Sequence, residues 1–135
     1  MTTYPPLSLI QDWTCDYFEP EPPTLYEFQD GVAVATLRGW RPEQRYDASW
    51  VAWLQKWFTL EITDVCVNYA LIIESAPMGT QVYMNGARLA EYNGLPLSLD
   101  VTDVITWESN TLAFRVPCGG EGAFSGVVLV PTPCN

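Results

Sequence analysis

Three of the chain's six basic residues fall in one short stretch, Arg38-Gly39-Trp40-Arg41-Pro42-Glu43-Gln44-Arg45-Tyr46-Asp47, beside two aromatic residues. A guanidinium is a planar fork of donors and an aromatic ring is a flat apolar face. Side by side they can grip a sugar ring or a partner's side chain. Trp50 follows closely, and Tyr92 stands just before the turn-rich Asn93-Gly94-Leu95-Pro96. Trp40, Arg41, Arg45, Trp50 and Tyr92 are therefore the candidate contacts. Glu43 and Asp47 leave a second reading open, in which the arginines only neutralise their neighbours.

Other chemistries find few residues to work with. The chain contains no histidine, which removes Ser-His-Asp and Cys-His nucleophiles, histidine bases and histidine metal ligands. No pair stands out among the 16 acidic residues as the two carboxylates that glycoside hydrolysis needs across a cleft. Cys118-Gly119-Gly120-Glu121-Gly122 lacks the Lys and the following helix of a phosphate-cradling loop. Asp100 and Asp103 do not have the spacing of a calcium loop and are expected to cap a turn. The chain is thus expected to be no enzyme by itself, with no cofactor and no metal.

Cys15, Cys66, Cys118 and Cys134 form no CxxC pair. Cys66 lies in a strand pattern and reads as a small buried hydrophobe, while Cys118 and Cys134 meet only if the last strand folds back. The first residues, Met-Thr-Thr-Tyr-Pro-Pro, lack the basic and apolar regions of a signal peptide, and no apolar run reaches membrane-spanning length. A cytoplasmic protein, or one inside an intracellularly made assembly, with reduced thiols is the expectation. The formal net charge of −10 argues against nucleic acid as a partner.

The elements that must position the candidate contacts are short strands. Asn85-Gly86 sits between alternating runs and predicts a two-residue hairpin with positive φ at both central positions. Trp50, Trp53 and Trp57 fall within eight residues. In a strand from Val51, Trp53 and Trp57 share one face while Leu54, Phe58 and Leu60 share the other. Either some of these tryptophans are core, or an outward indole offers a platform for a pyranose ring or a partner. A strand over Val32–Leu37 after a turn at Asp30-Gly31, a central strand over Val65–Glu74, and strands at Leu112–Val116 and Val127–Val130 complete the pattern. Pro131 and Pro133 are expected to end the pairing of the last strand. The count is eight or nine strands, with no helix beyond a turn near Val101–Ile105. Residues 1–30, rich in proline, read as an arm that packs Leu9, Trp13 and Phe18 onto a sandwich of residues 31–135, or that docks a partner chain.

Five stretches in order carry a resemblance: Trp53-Leu54-Gln55-Lys56-Trp57-Phe58-Thr59-Leu60, Asn85-Gly86 with Gly94, Asp100-Val101-Thr102, Asn110-Thr111-Leu112 and Ser125-Gly126-Val127-Val128-Leu129. Over more than half of its length the chain resembles the jelly-roll "sugar-binding" domain of glycoside hydrolase family 2 enzymes. It is similar, more loosely, to the N-terminal domain of α-L-rhamnosidases. The sequence departs from that pattern at Leu54 and Gln55, at Tyr92 where the family often has His, and at Glu108-Ser109. The resemblance implies an all-β, antiparallel jelly-roll sandwich of the galactose-binding-like type. It also implies a non-catalytic module, since the catalytic carboxylates of those enzymes lie on a separate (β/α)8 barrel. Carbohydrate bound by end loops is one expected partner. A protein partner or a second copy of the chain, with the sandwich as scaffold for a larger assembly, is the other.

Overall fold

A computed structural model of the chain describes residues 5–20, 27–41, 50–60 and 66–134, with the backbone alone at 16–20 and 27–32. Ten strands follow in chain order: β1 (Leu7–Ser8), β2 (Gln11–Pro20), β3 (Glu27–Thr36), β4 (Trp50–Thr59), β5 (Val67–Ile73), β6 (Gln81–Met84), β7 (Ala87–Glu91), β8 (Leu97–Asp100), β9 (Ser109–Pro117) and β10 (Val127–Pro133). They form two antiparallel sheets, β1-β10-β5-β8 and β3-β2-β4-β9-β6-β7. This is the expected all-β jelly-roll sandwich, and the described residues hold no helix beyond a turn closed by Val104 and Ile105 amides on the Val101 carbonyl.

Alternation decides which way each strand faces. In β9 Asn110, Leu112, Phe114 and Val116 are buried while the residues between them are not. In β4 Leu54 and Phe58 point in, and Trp53 and Trp57 point out. The core tryptophan is Trp13 on β2, which stacks on Phe114 at 4.7 Å between ring centroids. Phe114 stacks in turn on Phe124 at 5.2 Å. The buried Trp13 Nε1–H donates to the Leu9 carbonyl at 2.6 Å, so the ring enters the core with no orphan donor.

Asn85 and Gly86 have φ of 51° and 85°, the pair of positive values that the β6–β7 turn requires. The Asn85 side chain does a second task. Its Nδ2 donates to the Val104 carbonyl and to Asn110 Oδ1, and its Oδ1 accepts from the Thr111 amide. Asn110, fully buried, also accepts from the Thr106 amide at 2.7 Å and donates to the Thr106 carbonyl at 2.9 Å. This clamp ties the hairpin to the 101–108 connection. Asn110→Ala is expected to lower the unfolding free energy by about 2 kcal/mol, because buried donors lose their acceptor. Urea denaturation of the variant checks it.

Several local expectations are corrected. Asp30-Gly31 makes no chain reversal: both residues lie within β3. Four residues of β3 separate the partners of Cys15 and Tyr17, Val32 and Phe28, so the glycine marks an irregularity of register in a continuous strand. Pro131 and Pro133 do not end β10, which stays paired with β5 through Pro133↔Val67. The Cys134 amide donates toward β5, to the Cys66 carbonyl, so the odd-numbered prolines face away from it. On that side the described residues pair β10 only at Val128 and Leu129, with β1, so among them no ladder bond is lost at the prolines. The expected N-terminal arm supplies β1 and β2, one strand to each sheet, and β2 lies between β3 and β4. Leu9 and Trp13 are buried as expected, and the Phe18 side chain lies outside the described residues.

Cys66 is exposed and bonded to Cys134, with 5.3 Å between Cα atoms, so it is neither a buried hydrophobe nor a reduced thiol. Cys118, the other candidate partner of Cys134, is a half-buried thiol, and Cys15 a buried one.

Candidate functional site

The sandwich has two unlike ends. One carries the Asn85–Asn110 clamp, the 101–108 turn and the disulfide. The other gathers the loops after β5, β7 and β9, which border an open cleft of about 360 Å³ lined by Ser75, Ala76, Met78, Tyr92, Gly94, Glu121, Gly122 and Ala123.

The cleft walls are cross-linked through the backbone. The Met78 amide donates to the Glu121 carbonyl at 2.8 Å, and Gly79 to the Tyr92 carbonyl at 3.0 Å. Tyr92 returns a bond to Thr80, whose buried hydroxyl donates to Pro77 at 2.7 Å. Ser75 Oγ reaches the Ala123 carbonyl at 2.9 Å and Ser125 Oγ at 2.7 Å. A Cβ on Gly120 would lie 2.5 Å from the Met78 carbonyl oxygen, so only glycine lets the two loops approach this closely. With its loops tied together before any ligand arrives, the cleft is preformed, which lowers the ordering cost of binding.

The expected contacts are distributed unevenly around it. Tyr92, buried, lines the cleft. Arg41, exposed, donates from Nη1 to the carbonyl of the lining residue Gly122 at 2.8 Å, which fixes the guanidinium at the rim. The segment leading to it runs along the side of the sandwich, with Gly39 donating to the Phe124 carbonyl. Trp40 and Trp50 are half-buried and pack against the core, and the Trp50 carbonyl accepts from Cys118 at 2.8 Å. Arg45 lies outside the described residues. Ser75, Met78, Glu121 and Gly122 were not among the sequence candidates. The only signal for them was two turn-like stretches, 74–79 and 118–122, with nothing to say that they face each other.

The cleft offers one aromatic ring, a thioether, a carboxylate and several carbonyls. No nucleophile–base pair lies among its lining residues, and among the described residues no three His, Cys, Asp or Glu side chains converge as metal ligands. Asp100, at the other end, caps its turn: Oδ1 accepts from the Thr102 hydroxyl at 2.7 Å and amide at 3.0 Å. These bonds hold its carboxyl below the usual aspartate range. A depressed native pKa contributes stability above the unfolded value and loses it as the pH falls through the native one. Wild type is therefore expected to lose more stability than Asp100→Asn on acidification below about pH 4. Thermal melts across that window check the difference.

The class is defined by the fold: an all-β, antiparallel jelly-roll sandwich of two sheets. Solved structures share it. A glycosyl hydrolase family 2 member from Bacteroides cellulosilyticus matches 94% of this chain with a TM-score of 0.67 and 16% identity. β-D-Glucuronidase from Dictyoglomus thermophilum matches 98% with a TM-score of 0.70 and 15% identity, and a Faecalibacterium prausnitzii β-glucuronidase 96% with 0.72 and 16%. The chain covers only 20%, 29% and 31% of those proteins, respectively. No protein-family profile and no curated protein matches it.

Proposed function

We propose that the chain is a non-catalytic carbohydrate-binding module that works through the cleft at its loop end. The observation that carries this reading is the preformed cleft, with Arg41 fixed at its rim and Tyr92 in its wall, on a sandwich shared with part of glycoside hydrolase family 2 enzymes. Trp40 and Trp50 are the further proposed contacts, and Arg45, outside the described residues, is kept as a candidate from the sequence. The acidic balance supports a partner other than nucleic acid. The Cys66–Cys134 bond supports maturation in an oxidising compartment rather than the cytoplasm expected from the N-terminal residues.

Calorimetric titration with a panel of methyl glycosides and disaccharides tests the proposal. Wild type is expected to bind one sugar class, and Arg41→Ala to bind it about tenfold more weakly through loss of a charge-assisted bond. No binding by wild type, or equal binding by the variant, contradicts it. Leu95, 68% exposed beside the cleft, and Trp107, 44% exposed, favour a second reading as a subunit of a larger assembly. Light scattering that gives a stable oligomer blind to every sugar supports that reading.

A further inference from the structure

The chain contains two Asn-Gly pairs, Asn85-Gly86 and Asn93-Gly94. This dipeptide carries a chemistry of its own. The glycine backbone nitrogen can attack Cγ of the asparagine side chain, because glycine has no Cβ to hold the two apart and reaches backbone conformations that cost other residues strain. The new N–Cγ bond closes a five-membered succinimide. The side-chain nitrogen leaves as ammonia, with the proton that the glycine amide gives up. Water then opens the ring at either carbonyl. One opening gives aspartate, and the other gives isoaspartate, in which the main chain runs through the former side chain. Water is the one co-reactant.

The structure treats the two pairs oppositely. Both asparagines and both glycines are exposed, so access of water does not separate them. Hydrogen bonding does. The Asn85 carboxamide is held by three bonds, from Nδ2 to the Val104 carbonyl at 2.7 Å and to Asn110 Oδ1 at 2.9 Å, and from the Thr111 amide to Oδ1 at 2.8 Å. It must leave these partners before Cγ can turn to Gly86, and the paired strands β6 and β7 hold the backbone on both sides. Asn93 lies between β7 and β8, outside any strand. Neither its Nδ2 nor the Gly94 amide has a hydrogen-bond partner among the described residues. Its Oδ1 accepts from the Leu95 amide at 3.4 Å. That contact folds the side chain over the backbone that follows it, and sets a donor on the oxygen that gains negative charge when Cγ is attacked.

We propose that Asn93 is a site of spontaneous deamidation in the folded protein, and that the Asn85–Asn110 clamp withholds Asn85 from the same reaction. Tyr92 and Gly94, on either side of Asn93, line the cleft. The reaction therefore adds a carboxylate to a rim that already carries Glu121. The isoaspartyl product also lengthens the main chain between two lining residues. The modification does not depend on what the cleft binds.

Peptide mapping by mass spectrometry, with isoaspartyl methyltransferase labelling, tests the proposal on protein incubated in neutral buffer at body temperature. Trypsin cleaves after Arg88 and so puts the two sites on separate peptides. Asn93 is expected to react on the order of a hundredfold faster than Asn85, whose bonds must open first. In urea that unfolds the chain the two sites are expected to react at similar rates. Asn110→Ala, which removes one partner of the clamp, is expected to speed Asn85 about tenfold and to leave Asn93 unchanged. An intact Asn93, or comparable rates at the two sites in the folded protein, overturns the proposal. An Asn85 that stays slow in urea, or in Asn110→Ala, overturns the protective role of the clamp.

Discussion

Removing the Cys66–Cys134 bond, by reduction or by the double substitution Cys66→Ser/Cys134→Ser, is expected to lower the unfolding free energy by about 4 kcal/mol. The bond joins positions 68 residues apart, and a cross-link over a loop of that length restricts the unfolded chain strongly. For a chain of this size the melting temperature should fall on the order of 12 °C. The folded state contributes as well. Beyond Leu129 the second half of β10 has β5 on one side and, among the described residues, no strand paired on the other, and it carries two prolines that cannot donate. The disulfide pins the end of that half-supported strand to the start of β5. Thermal melts with and without reductant read the effect, and coincident curves would contradict it.

Phe114→Ala is expected to cost about 4 kcal/mol, within the range for deleting a buried aromatic ring. Phe114 is fully buried at the centre of a three-ring stack, with Trp13 on one side and Phe124 on the other. These rings come from β2, β9 and the loop before β10, so their contacts join the N-terminal strand to the cleft wall. The same deletion should therefore loosen the 122–126 segment that Arg41 leans on. Chemical denaturation measures the loss, and a change under about 1 kcal/mol would show that the stack is not the organising contact of the core.

Local chemistry was the legible part of this fold. Asn85-Gly86 needs positive φ at both positions, and few dipeptides supply it, so the hairpin could be read directly. Asp100 and Thr102 make their capping bonds over two residues. The alternation in β4 placed Leu54 and Phe58 opposite Trp53 and Trp57, although the sequence left open which set was inward. The partners of Phe58 and Trp57 are Asn110 and Thr111 on β9, over fifty residues away, and only that pairing settles the question.

Long-range partners were the illegible part. Cys66 and Cys134 meet because β5 and β10 are neighbours, and their spacing alone could not choose between Cys66 and Cys118. Proline argued against strand pairing at 131 and 133, yet the structure turns both toward the sparsely paired side of β10. The N-terminal segment looked like an arm because prolines flank it, while Leu9, Trp13 and Cys15 make it a strand with a buried face. The cleft was half legible. Arg41 and Tyr92 were marked by type, but Ser75, Met78 and Glu121 become a wall only when two turns, 40 residues apart in sequence, are bonded to each other. Trp40 and Trp50 illustrate the converse: residues suited to stacking a ligand spend much of their surface on the core.

The most direct measurement is amide chemical-shift mapping by NMR during titration with the sugar class that binds best. Shifts confined to Ala76, Met78, Gly122, Ala123 and the Arg41 amide are the expected result, since these positions surround the preformed cleft. Shifts centred instead on Asn85, Asn110 and Thr106 at the opposite end, or no shifts with any sugar, would contradict a module that binds carbohydrate through its loop end.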